Sequence, residues 1–270
     1  MFAGPNGSGK SVLKSYLPES LLGVYLNPDE IEAGIKKSGY ADIHRFGIQT
    51  TQEEILSAFT GSKFLQEKGF SDAARSLSFE DGRLFFTSDV GNSYFASVLV
   101  DFIRGKLLKV RQTFTFETVM SHPGKVALLQ QAQQAGYRTY LYYVATDDPE
   151  INVSRVANRV ALKGHDVPSE KIISRYYKSL ELLIEAIRHT NRAYIFDNST
   201  NNAEGTHTWL AEITDGRILE LKTPQAPAWF KHAVLDKISP TPEHGPAGSG
   251  RAACQRQPAG QDERERTRQN

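Results

Sequence analysis

The sequence predicts an α/β fold in which a mostly parallel sheet is flanked by helices, with a helical insertion and a disordered C-terminal tail. Three observations carry this. Segments rich in β-branched and aromatic residues alternate with segments of helical period, and such alternation implies crossover connections between parallel strands. A glycine-rich turn, residues 4–11, opens into a helix near the start of the chain. Acidic residues stand at the ends of strand-like segments, where open α/β sheets bind their ligands.

Taken in order, residues 1–3 are a first strand and residues 11–16 the helix after the glycine-rich turn. Residues 23–27 (GVYLN) read as a short strand, followed by a helical period over 30–37. Residues 40–110 are long for one crossover and are expected to form a helical insertion, with helical periods at 50–59 and 93–109. Insertions of this kind often build a second substrate's site. Residues 112–117 (QTFTFE) suit a pleated strand. A helix over 125–135 follows Pro123, which does no harm near a helix start because it lacks only a spare N–H. The same pattern repeats: strand 137–146, helix 150–162, a breaker-rich turn at 164–168, helix 169–188 and strand 192–198. An edge strand at 217–221 and a closing helix at 229–235 complete the expected domain, residues 1–238.

Composition narrows the function. The chain has 270 residues, with 32 basic and 31 acidic side chains, so its formal charge of +1 speaks against a nucleic-acid grip driven by overall charge. Cys254 is its one cysteine, which excludes a disulfide framework and a cysteine-based zinc site. No stretch approaches the roughly 18–20 apolar residues of a membrane helix. The opening Met1-Phe2-Ala3-Gly4 leaves no room for a signal peptide, so a cytoplasmic location is expected. Residues 239–270 contain no Val, Ile, Leu, Met, Phe, Trp or Tyr and cannot offset the entropy of ordering; they are expected to be a solvated tail.

Gly4-Pro5-Asn6-Gly7-Ser8-Gly9-Lys10-Ser11 fits the phosphate-loop pattern without a mismatch, which makes the expected architecture a P-loop NTPase fold. Glycines let backbone N–H groups turn inward around phosphate oxygens. Lys10 would reach the β- and γ-phosphates of ATP, Ser11 would hold Mg²⁺, and the following helix adds its positive end. Only Met1, Phe2 and Ala3 precede this loop, whereas a central strand has about five residues. The first strand is expected to be cut short, by truncation or a misassigned start, with a weaker nucleotide site or a less stable fold as the consequence.

Asp29, in the Asn27-Pro28-Asp29-Glu30 turn, is placed to accept a proton from an acceptor hydroxyl or to order Mg²⁺ through water. The plainer alternative is a helix N-cap. Asn27 is the next candidate in that turn. Glu117, with Thr118 after it, ends an otherwise apolar strand and calls for a cation, Mg²⁺ or a polar ligand, against the alternative of a structural ion pair. Asp148 reads as a helix cap and Asp197-Asn198-Ser199 as turn chemistry. Arg155 and Arg159 share one helix face and lie before the 164–168 turn, as a lid over a γ-phosphate would need. A solvated charged face is the alternative.

GPNGSGKS, NPDEI, TFETVMS, RVANRV-x-LKGHDVP, IISRYYKSL and YIFDNS occur in this order over nearly all of residues 2–200. Together they resemble the zeta toxin family of P-loop kinases, in the branch labelled as predicted ABC-type ATPases. The resemblance implies an ATP- and Mg²⁺-dependent kinase that phosphorylates a sugar hydroxyl of UDP-N-acetylglucosamine or a related nucleotide sugar. It implies a toxin blocked by an antitoxin protein. By resemblance Lys10 and Ser11 serve phosphate and Mg²⁺, Asp29 is the base, and Glu117 helps position the sugar. Arg155 or Arg159 matches the first of the family's two γ-phosphate arginines, while the second falls near His165. Val119 replaces a family threonine, with Thr118 adjacent.

Two other readings stay open. A transport- or chromosome-type ATPase without a small-molecule acceptor also uses such a loop, but an L-S-G-G-Q-like signature and an Asp-Glu pair after an apolar strand are both missing. An inactive nucleotide-binding module is the other, kept open by the short first strand.

Overall fold

The computed structural model describes residues 1–87, 93–162, 166–200 and 207–238. His165 and the expected tail, 239–270, lie outside the described residues. Along the chain, β1 (Phe2–Ala3) runs through the glycine-rich loop into α1 (Lys10–Ser15), and α2 (Glu19–Leu22) turns back into β2 (Val24–Leu26) and α3 (Pro28–Ser38). Then come β3 (Tyr40–Asp42), a 3-10 turn (His44–Phe46), α4 (Gln52–Thr60), α5 (Lys63–Glu67), α6 (Ser71–Arg75), β4 (Ser78–Glu80) and β5 (Arg83–Phe85). α7 (Ser93–Val110) leads to β6 (Phe114–Thr118), α8 (Gly124–Gln134), β7 (Tyr140–Ala145), α9 (Pro149–Ala161), α10 (Ser169–Arg188) and β8 (Arg192–Asp197). β9 (Thr208–Thr214) and β10 (Ile218–Leu221) follow. The last described segment is α11 (Ala228–Phe230), a π-helical turn (Lys231–Leu235) and α12 (Asp236–Ile238).

The main sheet has the order β10-β9-β8-β7-β1-β6-β2. β2, β6, β1, β7 and β8 are parallel; β9 and β10 extend the edge antiparallel. The chain winds from β1 outward to β2, returns to β6, then crosses to β7 on the other side. That reversal puts the ligand crevice beside the carboxyl end of β1. The mostly parallel sheet, its helical flanks and the loop after β1 make this a P-loop NTPase type of α/β fold. β1 spans only two residues, yet both are buried and paired on two sides, with Phe2 opposite Glu117 and Tyr142.

Helix placement follows the apolar stripes. α10 buries Ile172, Tyr176, Ser179, Leu183, Ala186 and Ile187, a spacing of three and four that faces one side of the sheet. Each large apolar side chain in such a stripe stabilises by about 1.5–3 kcal/mol. The one polar member, Ser179, is satisfied by the hydroxyl of buried Tyr143 at 3.0 Å.

The insertion differs from its sequence reading. Beside α4, α5 and α6 it contains a three-stranded antiparallel sheet, β3-β5-β4. Its hairpin turns through Asp81 and Gly82, both at positive φ (46° and 73°), the geometry a two-residue turn requires. Ile55, Phe59 and Leu65 of the insertion join the same buried cluster as Leu26 and Phe116 of the main sheet, so the two share one core. No helix among the described residues is long and apolar enough to cross a membrane.

Candidate active site

The loop between β1 and α1 is shaped by its glycines. Gly4 has φ 143°, and a Cβ there would lie 2.0 Å from the Val144 carbonyl oxygen of β7. Gly9 has φ 99°, and a Cβ would meet the Asn198 amide at 2.4 Å. Only glycine fits either place.

Three side chains from distant elements grip the loop's carbonyls from outside. The Asn152 amide donates to the Asn6 carbonyl at 2.6 Å and the Asn198 amide to the Ser8 carbonyl at 2.8 Å. His207 meets the Gly9 carbonyl through Nε2 at 3.1 Å. A carbonyl can only accept, so Nε2 carries the hydrogen. Burial pushes the His207 imidazole below its usual range, as does the charge of Arg155, while the Gly9 contact opposes this. With their carbonyls held outward, these peptides keep their N–H groups for the inner side, the polarity an anion requires. The Ser8 hydroxyl is buried and has no partner among the described residues, which fits a polar ligand inside the loop.

Lys10 folds over the loop, its ammonium donating to the Gly4 and Pro5 carbonyls at 2.9 Å each. Burial lowers its pKa to about 8; Glu117 and Asp29 act in the opposite direction, and Arg159 acts with burial. Glu117, Asp29 and Arg159 thus lie close enough for their charges to act on Lys10.

Asp29 sits on the first turn of α3. It is not the cap: the Asn27 side chain accepts from the Asp29 N–H at 3.0 Å and caps the helix itself. Asn27, expected to contact substrate, is therefore engaged in α3, while the exposed Asp29 carboxylate is not used as a cap. Glu117 lies at the end of β6. Its Oε1 accepts from the Tyr25 hydroxyl at 2.5 Å and its Oε2 from the Ser11 hydroxyl at 3.3 Å. The structure thus brings this carboxylate to the Ser11 hydroxyl. Thr118 serves its own turn, its hydroxyl accepting from the Met120 N–H at 3.0 Å where Met120 takes φ 54°.

The two helix arginines part company. Arg155 donates to the Asn198 carbonyl at 2.8 Å and steadies the turn after β8. Arg159 lies one turn further along α9, and its charge acts on Lys10. Asp148 caps α9 through the Glu150 N–H at 2.8 Å, and Asp197 holds its turn through Ser199 and anchors the Trp229 indole at 2.8 Å. Both are structural, as their sequence context predicted.

Ser11 and Glu117 supply hard oxygen donors. Such a pair fits Mg²⁺, which is held by one or two protein oxygens plus phosphates and water. A cavity of about 640 Å³ opens at the opposite edge of the sheet beneath Phe2, lined by Leu17, Leu22, Phe114, Leu129 and Tyr142. It contains none of the charged groups above.

Sequence reasoning missed Tyr25, Asn152 and His207, and took Asn198 for turn chemistry alone. Asn152 left one trace: a polar residue one turn before Val156 on the buried stripe of α9.

The family model described as Zeta toxin matches residues 90–204. No curated protein matches the chain. Among solved structures, the complex of AvrRxo1-ORF1 and AvrRxo1-ORF2 with ATP aligns at 15% identity and a TM-score of 0.47, over 88% of this chain and 62% of that one. The same complex with sulphate ions gives 14% and 0.47, over 83% and 60%. The chain therefore spans about three fifths of the length of those matched chains. The PezAT chromosomal toxin–antitoxin system of Streptococcus pneumoniae gives 13% and 0.42, over 87% and 81%. The stretch similar to the zeta toxin model, residues 90–204, includes Glu117, Arg155 and Arg159.

Proposed function

We propose that this protein is an ATP-dependent small-molecule kinase that transfers the γ-phosphate to a hydroxyl, with UDP-N-acetylglucosamine or a related nucleotide sugar as acceptor and with toxin-like activity. The observation that carries it is the phosphate loop, with Lys10 folded over its carbonyls and the Glu117 carboxylate 3.3 Å from the Ser11 hydroxyl.

Phosphoryl transfer is mainly positioning and charge neutralisation. The loop N–H groups and Lys10 would bind the β- and γ-phosphates. Arg159 would balance charge on the transferred group, while Arg155 keeps the β8 turn and hence Asn198 in place. Asp29 would take the proton of the acceptor hydroxyl as its oxygen attacks phosphorus, with ADP leaving. When bound at Ser11, with Glu117 beside it, Mg²⁺ supplies neutralising charge to the phosphate oxygens. The acting unit is residues 1–238, in the cytoplasm, with an antitoxin as protein partner.

Purified protein, ATP, Mg²⁺ and a panel of nucleotide sugars, followed by mass spectrometry, test this. ADP together with a phosphorylated sugar supports the proposal. ADP formed equally well without any acceptor supports a hydrolase, and no turnover at all supports a binding module.

A further inference from the structure

We infer that Tyr25 is a positioning residue for the metal side of the phosphate site, fixing the Glu117 carboxylate so that Oε2 faces Ser11. This rests on the kinase reading above and adds a residue to it. Tyr25 and Glu117 are placed for this by register. Tyr25 of β2 pairs with Thr115 of β6, and Glu117 lies two residues further along, so both side chains leave the same face of the sheet.

The direction of each hydrogen bond is determined by chemistry. The Asn27 amide nitrogen lies 3.4 Å from the Tyr25 hydroxyl oxygen and can only donate to it. The single hydroxyl hydrogen therefore goes to Glu117 Oε1, at 2.5 Å. The ring is itself held: the Lys14 ammonium of α1 sits 3.8 Å from its centroid. Glu117 is thus tied at one oxygen, leaving the other directed at the Ser11 hydroxyl, 3.3 Å away. A carboxylate freed at Oε1 could rotate away from that oxygen pair.

Tyr25→Phe keeps the ring and its Lys14 contact and removes one hydroxyl. The test is calorimetric binding of ATP with and without Mg²⁺, together with melting temperature, for wild type, Tyr25→Phe, Glu117→Gln and the double variant. The inference predicts metal-free ATP affinity within about twofold of wild type and a half-saturating Mg²⁺ concentration raised about tenfold, the scale of one charge-assisted hydrogen bond. It also predicts that adding Tyr25→Phe to Glu117→Gln changes Mg²⁺ dependence less than about twofold, because the hydroxyl acts only through the carboxylate. An unchanged Mg²⁺ dependence in Tyr25→Phe overturns the inference. So does an equal effect with and without Glu117, or an equal loss of affinity with and without Mg²⁺ alongside a lower melting temperature. If wild type binds no ATP under either condition, the kinase reading falls, and this inference falls with it.

Discussion

Replacing Asn152 by Ala tests the outer grip on the phosphate loop. Asn152 is fully buried, its amide donates to the Asn6 carbonyl at 2.6 Å, and its own oxygen accepts from the Thr146 hydroxyl. Alanine leaves the Asn6 carbonyl without its amide donor. Thr146 keeps a second acceptor, the Asp148 carbonyl at 3.1 Å, so it loses less. One orphaned, partly buried acceptor costs about 1–3 kcal/mol, and the lost volume of the buried side chain adds to this, giving about 2–4 kcal/mol in all. In a domain of this size each kcal/mol shifts the melting temperature by about 2–4 °C, so a fall of about 4–16 °C is expected. The loop should also lose order before ATP binds, weakening ATP about tenfold or more, since the competent arrangement is then only part of the population. Thermal unfolding and calorimetric titration read both quantities. A melting temperature within 2 °C of wild type, with unchanged ATP affinity, would refute the idea that the loop is held from outside.

Further predictions concern charge. Lys10 has a pKa lowered to about 8, and phosphate favours its charged form, so ATP binding must return a proton whenever the pH exceeds that value. Affinity should fall with rising pH by up to about tenfold per unit above 8, and Lys10→Met should bind weakly without this slope. Calorimetry across pH 7–10 checks it. Arg159→Gln should lower transfer about a hundredfold, as expected for charge neutralisation at the transferred group. Arg155→Gln should lower the melting temperature by about 2–4 °C, because it removes a donor worth about 1 kcal/mol from the Asn198 carbonyl. Thermal melts and rate measurements on both variants distinguish these roles.

Much of the parallel sheet was readable because each strand and helix declares its own period. Tyr140–Ala145 and Arg192–Asp197 are apolar and aromatic runs, and α10 falls on the residues its apolar spacing predicts. β9 was missed because Leu210, Ala211 and Glu212 favour helices locally; pairing with β8 and β10 overrides that preference. The insertion's sheet was missed because its strands have only three residues each, although Asp81-Gly82 is a hairpin signal.

The site divides the same way. Residues within a local motif, Lys10 and Ser11 in the phosphate loop and Asp29 in the 27–30 turn, stand out as candidates by type and spacing. The grip on the loop does not, because Asn152, Asn198 and His207 stand 146, 190 and 198 residues from the carbonyls they meet. No local pattern encodes such a partner; it follows only once β1, β7 and β8 lie side by side. Glu117 is an intermediate case. Its place at a strand end marked it as a candidate, but its contacts with Tyr25 and Ser11 left no local trace.

The account rests most directly on Asp29 as the proton acceptor in transfer from ATP to a hydroxyl. The deciding measurement compares wild type with Asp29→Asn for ATP affinity and for phosphorylated acceptor formed per unit time. The account predicts ATP affinity within about threefold of wild type and transfer reduced about 10²–10⁴-fold, the range of general base catalysis. Transfer retained in Asp29→Asn at the wild-type rate would contradict it.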